Sequence, residues 1–310
     1  DEVATPWGGG QADVSLGTLA PMDLKGTARW TTEAAGPTVS TDLTVGGVLE
    51  AIELAARANG AGANVRLEGV VTPFGSLPAA RLKIEGEGID PSKWREGLPG
   101  ADFALQADLT EKDGVLSGPV SVANTRAGTV DAGLIPLASL VGQLKANLTS
   151  ASIDNLEAKT GGAGRVTGRA SWAMDAPATA ELSLAELNLK GIDGRMPDTA
   201  LVGPISLSAD AQTQRVQAKL ADQGLKADLV AEHANARVVI EQLKLMQGEA
   251  RAEATGEIAL EGTMPFKADI KAQTFNPGAL WADAPTGSIT GDVTVSGQAG
   301  VPSASGQFKL

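Results

Sequence analysis

The stretch Ile153–Leu189, IDNLEAKTGGAGRVTGRASWAMDAPATAELSLAELNL, decides the fold. Apolar and polar residues alternate on both sides of a Gly-rich break at Gly161-Gly162-Ala163-Gly164, and again around Pro177. It reads as strand, turn, strand, turn, strand. The pattern returns upstream from Ile52 (IELAARANGAGANVRLEGVVTPFGSLPAARLKIEGEGIDPSKW) and downstream from Ile240 (IEQLKLMQGEARAEATGEIALEGTMPFKADIKAQTFNPGALW). Turn glycines recur at Gly60, Gly161 and Gly248, and second-turn prolines at Pro78, Pro177 and Pro265. The two outer copies end alike, in Ile89–Trp94 and Phe275–Trp281, and a weak copy of the opening lies at Gly26–Val45. The period is irregular, about 85 to 100 residues, as in a diverged array.

Working outward, period 2 dominates. Val65 and Leu67 oppose Asn64, Arg66 and Glu68; Leu82 and Ile84 oppose Arg81, Lys83 and Glu85. Phe103, Leu105, Ala107 and Leu109 oppose Asp102, Gln106 and Asp108, and Glu111-Lys112-Asp113-Gly114 then turns the chain into Val115–Val122. Val48–Asn59 tolerates a helical spacing, but its repeat partners are strand-like, so a strand is expected over Ile52–Asn59. Leu134–Leu148 is ambiguous: a short helix fits the spacing, whereas Pro136 and Gly142 oppose it. Ala178, Ala180, Leu182 and Leu184 share a face, and Leu187 and Leu189 continue on the opposite parity; a β-bulge near Ala185–Glu186 returns all six to one side. Leu207 falls in a strand over Leu201–Ala209. Leu220 precedes and Leu225 and Leu229 follow the turn Asp222-Gln223-Gly224. Ile258, Ile270, Val293 and Val295 lie in the later strands. The count comes to roughly 18 to 21 strands without βαβ alternation.

Composition agrees. Of 310 residues, 43% are hydrophobic and 20% charged, a foldable balance, yet aromatics are 3% with no Tyr. Ala, Val, Leu and Ile suit a long, thin apolar surface better than a deep core. No Cys is present, which excludes disulfides and thiol chemistry. Net charge is −12, so the basic stripe of a nucleic-acid binder is missing. Residues 1–22 read as a loose or edge segment, and 23–310 as one continuous array of approximate units 23–95, 96–190 and 191–310. The whole reads as a fragment of a longer chain.

Each strand has one dry and one charged face, the pattern of an antiparallel sheet wet on one side. The dry face can be buried by closing a barrel, by packing on a second sheet, or by folding lengthwise into a gutter; a charged outer face excludes a transmembrane barrel. Candidate chemistry is thin. His233 stands alone in LVAEHANAR and reads as a solvated strand residue. The Gly clusters lack the Lys-Ser/Thr of a phosphate loop. Glu85 and Glu87, beside Arg81 and Lys83, read as a solvated charged face. No catalytic, metal or cofactor residue is expected, and the chain does not read as an enzyme. Trp30, Trp94, Trp172 and Trp281 fall at repeat landmarks and read as sheet-edge or rim caps.

Pro136–Leu144 (PLASLVGQL), Leu156–Trp172 (LEAKTGGAGRVTGRASW) and Gly194–Ser208 (GRMPDTALVGPISLS), with the Asp/Asn-Pro-x-x-Trp-like endings IDPSKW and FNPGALW, resemble the TamB family, whose relatives are the AsmA-like proteins. The resemblance covers most of residues 26–310. It implies an all-β "β-taco", an elongated antiparallel sheet curled into a U-shaped trough with an apolar interior. It also implies a periplasmic location in a Gram-negative bacterium and a parent chain anchored in the inner membrane. The implied role is a bridge-like conduit that shields phospholipid acyl chains between the two membranes. The alternative is a scaffold for outer-membrane protein clients, acting by β-augmentation with a TamA-type partner that other parts of the chain contact. On this reading the groove is lined by Val65, Leu67, Leu82, Ile84, Phe103, Leu105, Leu182, Leu184, Leu187, Leu207, Leu220, Leu225, Leu229, Ile258, Ile270, Val293 and Val295.

Overall fold

The computed structural model describes residues 2–5, 8–32, 36–75, 77–162, 164–276, 287–298 and 301–309. It is all-β, with two contact-dense units that divide at Gly161 and Gly162. The first unit contains β1 (Glu2–Thr5), β2 (Gly8–Leu16), β3 (Leu24–Thr32), β4 (Val39–Val48), β5 (Ala51–Gly60), β6 (Ala63–Val71), β7 (Ala79–Ile89), β8 (Phe103–Lys112), β9 (Val115–Asn124), β10 (Leu137–Ala146) and β11 (Ser150–Thr160). The second contains β12 (Arg165–Ala173), β13 (Ala176–Leu187), β14 (Leu201–Ala209), β15 (Thr213–Asp222), β16 (Leu225–Ala234), β17 (Arg237–Gln247), β18 (Ala250–Ala259), β19 (Pro265–Phe275), β20 (Ile289–Gln298) and β21 (Val301–Lys309). Within each unit every strand pairs antiparallel with the next, and the described pairings include none between a unit's first and last strands. Each unit is therefore an open meander and not a closed barrel. The helix-tolerant stretches resolve as strands β5 and β10, because each finds a ladder partner on both sides.

Turn chemistry sets the registers. Asp113-Gly114 (φ 53° and 78°) and Gln223-Gly224 (φ 43° and 92°) have both central residues left-handed, the geometry that matches strand twist in a two-residue hairpin. Pro265 opens β19 and Pro177 is the second residue of β13, strand entries where a missing N–H is tolerated. The bulge anticipated near Ala185–Glu186 is present: the β13–β14 register slips between Leu184 and Leu187, and Glu186 has φ 55°. Leu187 thereby joins the apolar side and pairs with Leu201. Leu189 does not, since it begins a 3-10 turn over Leu189–Gly191.

Four long loops follow β7, β9, β13 and β19. In a meander, connections after alternate strands share an edge, so each unit carries two of these loops on one rim. Each is stapled by the Asx residue at the strand end. Asp90 accepts from the Ala101 N–H (3.1 Å), Asn188 from the Thr199 N–H (3.3 Å) and Asn276 from the Gly287 N–H (3.2 Å), each eleven residues on. Asn124 instead donates to the Ile135 (3.4 Å) and Leu137 (2.9 Å) carbonyls. The next strand starts thirteen residues after the Asx in every case, at Phe103, Leu201, Ile289 and Leu137. Three of the Asx residues follow a left-handed residue and a register slip: Gly88, Glu186 and Thr274. In two of them an Asx-capped 3-10 turn follows the bulge, after Asp90 and after Asn188, and Glu186–Gly191 is the middle copy of the repeat. That copy lacks the Pro and Trp of the outer two.

In the first unit two staples interlock. Arg126 donates to Asp90 Oδ2 (2.6 Å) and to the Ala101 carbonyl (2.8 Å), while Asn124 Oδ1 accepts from the Asp102 and Arg126 N–H groups. Among the described residues Asp90 and Asn124 are the buried polar ones, and Ala101 is 1% exposed. Burial pushes the Asp90 carboxyl up, but Ser92, the Ala101 N–H and Arg126 outweigh it and lower its pKa to about 2.

Candidate functional site

The registers collect the apolar side chains into rows that run across the strands. In the first unit Val65 lines up with Ala58, Gly86, Leu105 and Val122. Beside it runs Leu43, Ala56, Leu67, Ile84, Ala107 and Val120. Leu82 faces Leu109, and Phe103 faces Ile89. In the second unit the central row is Gly168, Leu182, Ile205, Ala218, Leu229, Leu243, Ala254, Ile270 and Val293. Leu207 and Val295 belong to the flanking row with Val216, Ala231 and Ile240. Leu184 and Leu220, with its partner Ala227, lie on the other flank. Leu225 and Ile258 mark the ends of the same face. All seventeen residues thus lie on the apolar face of their own unit. Ile205, Ala218, Leu243 and Ala254 complete the central row; strand parity marks them, but only the bulge at Ile240–Leu243 aligns Leu243 with Leu229.

Among the described residues of each unit this face is mostly half-buried. Among the described residues no large side chain is fully buried. The buried apolar residues are mostly Ala, with Leu77, Leu109, Leu184 and Phe275 the larger ones. The other predicted lining residues are half-buried, and Leu207 is exposed. A sheet packed on another would bring facing side chains into close-packed contact, and fully buried Leu and Ile would follow.

His233 is a strand residue as expected, with solvent in reach of its hydrogen bond. It is half-buried and continues the parity of Leu225, Ala227, Leu229 and Ala231 to the end of β16, on the apolar face. There its Nδ1 lies within hydrogen-bond distance of Gln214 Oε1, from the facing position of β15. The sequence alternation already carried this parity. The described residues hold no cluster of three potential metal ligands. Glu85 pairs with Lys83 at 2.8 Å, which holds its carboxyl below the ordinary range. Trp94 caps the turn after β7 and Trp172 lies near the end of β12, both exposed, whereas Trp30 is half-buried within β3. Trp281 lies outside the described residues, as does most of the FNPGALW ending.

The opposite face is ionic. In the second unit Lys219, Asp228, Lys244, Glu253, Lys271 and Asp292 stand directly opposite one another with alternating sign on successive strands. Among the described residues no helix is long and apolar enough to cross a membrane. The class of protein defined here is an open, antiparallel β-meander with one apolar and one ionic face. No family model, curated protein or solved structure matches the chain.

Proposed function

We propose that the apolar face is the wall of a non-enzymatic conduit for acyl-chain lipids. On this reading the chain works in the periplasm of a Gram-negative bacterium, as its resemblance to the TamB family implies. The observation that carries the proposal is an apolar face, continuous over many strands in each unit, whose described side chains stay mostly half-buried. Acyl chains are suitable occupants, since each CH₂ withdrawn from water contributes about 0.8 kcal/mol. One acyl chain spans about half of the ~30 Å hydrocarbon thickness of a bilayer. At ~4.8 Å per strand it lies across about three strands. Repetition of the rows then offers successive equivalent positions with no residue specialised for chemistry.

The test is photo-crosslinking of the full chain in cells, with the reactive group at Leu105, Leu182 or Leu229, and at Arg169 on the ionic face as control. Phospholipid adducts at the three apolar positions and not at Arg169 are expected. Adducts to polypeptide alone would overturn the conduit and favour an outer-membrane protein scaffold.

A further inference from the structure

Cross-strand charges in this protein follow a rule with one exception. In the described registers, directly opposed charged residues carry opposite signs: Glu68 and Lys83, Lys83 and Asp108, Arg169 and Glu181, Arg215 and Glu232, and the six-membered ladder of the second unit. The exception is Arg57 on β5, which faces Arg66 on β6. Like charges at directly opposed positions, with Cβ atoms about 5 Å apart, are destabilising.

The neighbouring acids relieve the pair only in part: Glu85, opposite Arg66, feels its charge but makes its ion pair elsewhere. The row reads Arg29, Asp42, Arg57, Arg66, Glu85 on successive strands. Asp42 turns away to Arg29, at 2.6 Å. Glu85 turns away to Lys83, at 2.8 Å. Among the described residues neither Arg57 nor Arg66 has a carboxylate within ion-pair distance or a side-chain hydrogen bond. Both line a hollow of about 870 Å³ on the ionic face, whose other charged residues are Arg29, Asp42, Asp13 and Glu68. Asp13 is three strands from Arg57, and Glu68 faces Lys83. Two adjacent guanidinium groups without an ion pair of their own therefore lie in a concavity of a chain whose net charge is −12.

We infer that Arg57 and Arg66 form a binding site for a phosphate dianion, free or carried as a phosphomonoester. Guanidinium forks match tetrahedral oxyanions in bidentate geometry. A phosphate monoester carries about −1.5 to −2 charges at pH 7, which balances the two arginines where a single carboxylate leaves one unpaired. The site is on the face opposite the proposed conduit and does not depend on that reading.

The experiment is calorimetric titration and thermal unfolding of the full chain with inorganic phosphate, with glycerol phosphate and with acetate, at constant ionic strength. Wild type is expected to bind phosphate or glycerol phosphate and to unfold at a higher temperature in its presence, with acetate weaker. A response to inorganic phosphate identifies the free ion as sufficient; a response to glycerol phosphate alone assigns the site to esters. Arg57→Gln and Arg66→Gln should each weaken binding by about tenfold or more. Without ligand both variants should be at least as stable as wild type, because the repulsion is gone. The inference is overturned if wild type shows no phosphate-specific response, or if both variants keep it.

Discussion

Asp90→Ala should open the rim of the first unit without disturbing the sheet. Asp90 Oδ1 accepts from Ser92 N (3.2 Å), Ser92 Oγ (2.8 Å) and Ala101 N (3.1 Å), and Oδ2 accepts from Arg126 (2.6 Å). Removing the carboxylate strands the buried Ala101 N–H, worth about 1–3 kcal/mol. It also removes the cap of the following turn, about 1 kcal/mol. The Arg126 side chain is half-exposed and rehydrates, so the ion pair adds less than about 1 kcal/mol. The expected loss is about 2–5 kcal/mol by urea unfolding. The Ala101 amide, protected in wild type, should become one of the fast-exchanging groups. Asp90→Asn keeps the Oδ1 acceptor, as Asn188 does in the second unit, and should cost about 1 kcal/mol. Equal losses in the two variants, or an Ala101 amide still protected in Asp90→Ala, would refute the staple.

Acid should act on the same group. The depressed Asp90 pKa means that its contribution is complete above the ordinary carboxylate range of ~3.9. The contribution declines as pH falls and is gone once pH passes below about 2. Asp90→Asn should flatten that part of a stability–pH curve between pH 4 and 2. Glu186→Gly and Thr274→Gly place glycine where φ is 55° and 51°, as Gly88 already is in the first copy; each should raise stability by about 1 kcal/mol, read from the urea midpoint. Conversely, a Cβ at Gly88 meets the Gly62 carbonyl oxygen at 2.4 Å, so Gly88→Ala should cost about 1–3 kcal/mol. Leu229→Asp tests the openness of the apolar face: with water in reach the charge should cost no more than about 3 kcal/mol and the variant should fold, while lipid capture at Leu182 drops; failure to fold would show a covering layer.

Much of this fold was legible because a one-faced sheet writes its parity into the chain. The bulge at Glu186 could be placed from Leu184 and Leu187 alone, since no other slip keeps both on the dry side. The middle copy of the loop device was missed for a physical reason. Its function resides in an Asx side chain reaching a backbone N–H eleven residues away, and Asn188 does this with Leu189 where Asp90 has Pro91. The eye follows Pro and Trp, which are dispensable. His233 was legible as a strand residue in reach of solvent, and strand parity adds that it shares a face with Leu229 and Ala231. The opposition of Arg57 and Arg66 needs the register across the Ala61-Gly62 turn, since residues nine apart in sequence carry no sign of being adjacent.

A half-buried apolar face changes where stability must come from. A packed core would add about 25 cal/mol for each Å² withdrawn from water, and half-buried rows leave part of that unrealised. The remainder falls to lateral terms: ladder hydrogen bonds, opposed charges worth about 0.2–1 kcal/mol each, and stapled rims. The second unit's alternating ladder over six strands, and the thirteen-residue Asx loops kept in both units, fit that demand. A further consequence follows if acyl chains occupy the face. A ligand that binds only the folded state stabilises it by RT ln(1 + [L]/Kd), about 2.7 kcal/mol at a hundredfold excess over Kd. Loaded and delipidated protein should then differ in unfolding midpoint by that order, with the loss confined to amides of strands bearing the rows and absent from the Asp90 rim. A uniform loss across rim and rows would mean that the lipid acts on the whole fold and not on one face.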